Sequence, residues 1–145
     1  MRVDFYQLSQ TPVEVALPQL AAKMLDAGAR VLVVSSDEAQ RSRISAALWG
    51  AKEHFLAHGD AGGVHDARQP ILLAGELDAA ANGATYLTLA DGQWRDAAAE
   101  FERVFLLFDG STIDDARATW RKLGEVDGIE RNYWRQEEDR WTKAA

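Results

Sequence analysis

Residues 30–38, "RVLVVSSDE", decide the fold. Val31 to Val34 are uninterrupted apolar residues, three of them β-branched, and they leave no polar face. That pattern marks a strand buried on both sides of a sheet. "SSDE" then offers Ser35 as a helix N-cap with Glu38 three residues on, the spacing of a capping box. The spacing predicts a helix up to Trp49, stopped by Gly50, with Ile44, Ala47 and Leu48 on its buried side. Trp49 lies about 100° round the helix from Leu48, so it need not face the same core.

A strand feeding a helix is one unit of a pattern that continues in both directions. Upstream, "RVDFYQL" (2–8) reads as a strand, and "TPVE" (11–14) opens a helix with Thr11 as N-cap, Pro12 at the first helical position and Glu14 closing a box. Val13, Leu17, Leu20 and Met24 make its apolar stripe, Pro18 bends it or delays its start, and Gly28 ends it. Downstream, "PILLAG" (70–75), "TYLTLA" (85–90) and Val104 to Phe108 read as strands. "STIDDARATWRKLGE" (111–125) is a helix capped by Ser111, with Ile113, Ala116, Trp120 and Leu123 inward. "GIERNYW" (128–134) makes a last short strand, and residues 135–145 form a loosely held tail. The alternation predicts a single three-layer α/β domain over residues 1–145. Its sheet is mostly parallel, with helices on both faces and Rossmann-like winding.

Composition narrows the function. The chain of 145 residues has no cysteine, which excludes disulfides, iron–sulfur clusters and thiol chemistry. "MRVDFYQLSQ" has no apolar leader core, and no apolar run approaches the length of a membrane span, so the expectation is a cytoplasmic protein without a membrane partner. A net charge of −7 disfavours a broad basic face for duplex DNA. The charge is uneven: the first 116 residues balance to −8, and residues 117–145 to +1.

The usual chemistry of such a sheet is missing. Neither "FYQLSQTPVE" nor "VVSSDEAQ" carries a glycine at a strand-to-helix turn, so neither lets backbone approach a pyrophosphate. "GDAGG" (59–63) has glycines but no following Lys and Ser/Thr and no helix start to hold an anion. His54, His58 and His65 lack the regular helix and the completing carboxylates of a metal site, and the sequence predicts neither metal nor cofactor. No paired-carboxylate or Ser–His–Asp arrangement is legible, so no enzyme is expected.

The aromatics remain. Trp49, Phe55 and Leu56 in "ALWGAKEHFLAHGDAGG" (47–63) either cover a sheet edge or form an apolar docking patch. In "ARATWRK" (116–122), Arg117 and Arg121 stand one turn apart with Trp120 on the border of the buried stripe. That is either a border Trp with snorkelling arginines or a seat for an acidic peptide ending in an apolar side chain. Both pairs of readings stay open from the residues alone.

The chain also resembles a family, the chi subunit of bacterial DNA polymerase III. The resemblance rests on the order and spacing of "DFYQL", "RVLV", "ALW" with the following "F-x-x-H-G" and "AG", then "QPILL", "FDG", "ARATWRK" and the closing "YW". It implies a non-catalytic accessory subunit of the clamp-loader assembly that supports DNA replication and touches DNA only indirectly. The implied partners are the acidic C-terminal tail of single-stranded DNA-binding protein, at Arg117, Trp120, Arg121 and Trp134, and the psi subunit or another loader subunit, at Leu48, Trp49, Phe55, Leu56 and His58. Ala57 departs from the family's frequent proline in "F-x-P-H". The alternative from another class is a small Rossmann-like nucleotide-binding enzyme or sensor.

Overall fold

Each apolar run becomes an interior strand of one sheet. The computed structural model describes residues 1–51, 55–78, 80–137 and 140–145. In chain order the elements are β1 (Arg2–Gln7), α1 (Val13–Asp26), β2 (Val31–Val34), α2 (Glu38–Trp49), β3 (His58–Asp60), β4 (Ile71–Ala74), β5 (Tyr86–Leu89), β6 (Arg103–Phe108), α3 (Ile113–Gly124), β7 (Glu130–Glu137) and β8 (Arg140–Lys143). The strands lie in the order β3-β4-β2-β5-β6-β1-β7-β8. Every neighbouring pair is parallel except β7–β8, which is antiparallel.

Strand alternation sorts the core into two halves. Val31, Val33, Ile71, Leu73, Phe105 and Leu107 face the layer that holds α1 and α2. Leu32, Val34, Leu72, Leu87, Val104 and Leu106 face the opposite layer, made by α3 and a 3-10 turn at Asp96–Glu100. The expected three-layer α/β architecture is what the chain adopts.

The helix starts differ from the expected caps. On α2 the cap is Asp37, whose carboxylate accepts from the N–H groups of Ala39 and Gln40. Ser35 is buried two positions too early and instead bonds the Gln40 side chain. On α1 the helix begins at Val13 with Pro12 as its flanking residue, and Pro18 lies within it. Thr11 lies one position before that and does not cap; its hydroxyl accepts from Gln136 Nε2 of β7 at 2.7 Å. On α3 the flanking residue is Thr112, while the Ser111 hydroxyl donates to Asp109 at 2.6 Å.

Gly28 does close α1. Its φ of 83° lets the Ala29 N–H reach the carbonyl of Met24 and its own N–H reach Leu25, a Schellman ending.

Residues 135–145 correct the expectation of a loose tail where they are described. β7 runs on to Glu137, and β8 returns along it with Arg135 opposite Thr142 and Gln136 opposite Trp141.

Candidate partner-docking sites

The two segments singled out in the sequence lie at opposite ends of the sheet. The first belongs to the β3 end. Leu48 and Leu56 are 1% and 3% exposed and plug the core under the α2 terminus. His58 is also buried, and both its ring nitrogens are engaged. Nδ1 lies 2.9 Å from the carbonyl of Leu56, which can only accept, so Nδ1 carries the proton. In the neutral ring Nε2 then accepts from the Ser45 hydroxyl at 2.8 Å.

Above this pinned base stand two exposed rings. Trp49 is 59% exposed and Phe55 85% exposed, with centroids 6.4 Å apart. Trp49 also rests 4.3 Å from the His58 ring. Leu48, Leu56 and His58 therefore hold the patch in place, and Trp49 and Phe55 present it. Beside it an open groove of about 530 Å³ runs past Arg41, Ser45, Trp49 and Asp60.

The glycine loop that follows is closed on itself. The N–H groups of Gly62 and Gly63 donate to the two oxygens of Asp66 at 2.8 and 3.0 Å. The amides that a phosphate would need are held by the chain's own carboxylate. His65 is exposed in that loop, and His54 lies outside the described residues.

The second site is at the β7–β8 end. Arg117 and Arg121 are exposed on α3 and Trp120 is half-buried between them. Trp120 stands edge-on to Phe5 at 5.1 Å and to Tyr133 at 5.7 Å. Arg131 stacks over the Trp120 ring at 4.2 Å and donates to the Trp120 carbonyl at 2.7 Å. Gly124 makes room for that guanidinium, since a Cβ there would meet Arg131 at 2.7 Å. The resulting shallow pocket of about 270 Å³ is lined by Arg117, Trp120, Arg121, Tyr133, Arg135, Ala144 and Ala145.

Trp134, expected beside this helix, is on the other side of the sheet. It stacks on Tyr6 at 6.1 Å, and its Nε1 donates to the buried carboxylate of Asp4 at 3.0 Å. Alternation gives the reason: Arg131, Tyr133 and Arg135 share one face of β7, and Asn132 and Trp134 share the other. Tyr133 takes the expected place of Trp134, and Arg135 adds a third cation. The period-2 pattern of "ERNYWRQ" carried that signal once α3 was known to lie on the Arg131 face.

Burial raises the pKa of the Tyr133 hydroxyl, against the opposing charges of Arg117 and Arg135. The Tyr133 hydroxyl donates to Gln7 Oε1 at 2.5 Å, so the ring is fixed at both ends. Arg117, Arg121 and Arg135 form no ion pair among the described residues. The arrangement is an aromatic wall ringed by three guanidinium groups that have no carboxylate partner among the described residues. Such a site suits a flexible acidic chain with one apolar side chain.

The family described as DNA polymerase III chi subunit, HolC, matches residues 1–129 of the sequence. The chain belongs to that family. The match runs from β1 through α3 and ends just before β7, so it covers Arg117, Trp120 and Arg121 but not Tyr133, Trp134 or Arg135. Membership gives the chain a replication role as an accessory subunit of the polymerase. A search among curated proteins returned no significant match. Among the described residues no helix is long and apolar enough to cross a membrane.

Proposed function

We propose that this chain is a non-catalytic, cytoplasmic linker within the polymerase assembly. It binds the acidic C-terminal tail of single-stranded DNA-binding protein at the β7–β8 end and a psi-type loader subunit at the β3 end. The observation that carries the tail reading is charge: on a protein of net charge −7, Arg117, Arg121 and Arg135 gather around Trp120 and Tyr133 without carboxylate partners among the described residues. Forked hydrogen bonds from guanidinium groups hold carboxylates, and the half-buried rings offer an apolar surface to a terminal aromatic side chain. The psi reading is supported by the exposed Trp49–Phe55 pair, since exposed aromatics over a rigid base are typical interface anchors.

Fluorescence anisotropy with a labelled acidic peptide ending in Phe tests the tail site. Binding by wild type with loss in Trp120→Ala and Arg117→Glu supports it, and equal binding by all three places the peptide elsewhere. Co-purification of the loader subunit with wild type but not with Trp49→Ala tests the second site.

A further inference from the structure

The pocket beside α3 is assembled from two stretches of the chain. Arg117, Trp120 and Arg121 lie within the family-matched residues, whereas Tyr133, Arg135 and the 144–145 wall lie beyond them. That later part is clipped to the sheet edge by the backbone of Tyr133. Its N–H donates to the carbonyl of Ala145 at 2.9 Å, and its carbonyl accepts from the N–H of Ala144 at 2.8 Å. On the other face of the sheet Trp141 packs edge-on to Tyr6 at 4.9 Å and anchors the same strand. Residues 140–145 thus form a strap, fixed by Trp141 on one face, with Ala144 and Ala145 lining the pocket on the other. The side chains it places there are two methyl groups.

We infer that this strap sets the pocket's preference for a bulky apolar terminal side chain, while the arginines bind whatever carboxylates accompany it. The inference rests on the proposed peptide binding at this pocket. A ring held between two walls sheds water from both faces, and one lying against a single wall keeps half its hydration. The guanidinium groups stand on α3 and β7, so they hold their charge with or without the strap. Selectivity for the last residue is then separable from charge-driven affinity.

The test compares the full chain with Ala144→Pro and with a chain truncated after Glu137. Proline removes the N–H that pairs with Tyr133 and changes no charge. The truncation removes two acidic and two basic residues, so it too leaves the net charge unchanged. Two labelled peptides share one acidic sequence and end in Phe or in Ala, and melting curves confirm that each variant is folded. The intact chain prefers the Phe-ended peptide. Both variants are expected to lose that preference by on the order of tenfold, and in Ala144→Pro, which alters no charge, affinity for the Ala-ended peptide and its salt dependence stay the same. A preference undiminished in both variants, or an equal fall for both peptides, overturns the strap's role. Failure of the intact chain to bind either peptide instead overturns the proposed tail site, and the strap inference with it.

Discussion

The two ends of the sheet carry aromatic side chains in opposite ways. At the β3 end the rings of Trp49 and Phe55 stand out from a finished scaffold, with Leu48, Leu56 and His58 doing the packing beneath them. At the β7–β8 end the rings of Trp120 and Tyr133 are part of the packing itself, wedged against Phe5, and the exposed groups are arginines. A surface of exposed rings can change without cost to the fold. A surface of half-buried rings cannot, so its partner affinity and its stability are linked.

The largest expected effect tests that contrast. Trp120→Ala removes ring contacts to Phe5, Tyr133 and the Arg131 guanidinium and should destabilise the protein by about 3 kcal/mol. Trp49→Ala should stay within about 0.5 kcal/mol of wild type by denaturant unfolding. Equal losses would break the comparison.

A smaller effect separates the base of the β3 patch from its surface. His58→Ala leaves the Ser45 hydroxyl and the Leu56 carbonyl without their partner, a loss of about 1–3 kcal/mol. Phe55→Ala, at a side chain 85% exposed, should leave the melting temperature unchanged and reduce only capture of the loader subunit. A stability loss in Phe55→Ala would assign that ring to the core.

Alkaline pH probes the tyrosines packed at the β7–β8 end. Burial, then the Asp4 charge, pushes the Tyr6 hydroxyl from the ordinary 10.0 up to about 12, and burial also raises Tyr133. Both folded-state values exceed the unfolded one. The stability they contribute is full below pH ~10 and is lost as pH rises through the folded values. Phenolate absorbance near pH 11 should therefore lag behind that of the unfolded chain. Coincident folded and unfolded titrations would remove both tyrosines from that role.

What the sequence showed, and what it hid, follows from the same geometry. The interior strands β2, β4, β5 and β6 are covered on both faces, so they had to be continuous apolar runs and were legible at once. The two strands that were missed, β3 and β8, are the edges of the sheet. "HGD" and "RWTK" each pair on one side only and carry no apolar run, so the pattern gives no sign of them. For Trp49, helix geometry separates it from Leu48 and so allows it to leave the core, but only the structure shows that it does. Trp134 was misplaced because choosing between Tyr133 and Trp134 requires knowing which face α3 covers. The expected caps Thr11, Ser35 and Ser111 lie one or two positions before the residues that flank the helices, and their hydroxyls bond elsewhere.

On the proposed reading, charge at the β7–β8 end, and not the rings at the β3 end, binds an acidic peptide. Titration calorimetry of such a peptide, ending in Phe, against wild type, Arg117→Ala, Arg117→Glu and Trp49→Ala tests it most directly. Equal affinity is expected for wild type and Trp49→Ala, a weaker complex for Arg117→Ala, and the weakest for Arg117→Glu, where like charge faces the peptide. Affinity should also fall as salt rises, because exposed ion pairs are screened beyond about 8 Å at physiological ionic strength. Equal binding by wild type and Arg117→Glu, or a loss confined to Trp49→Ala, would contradict it.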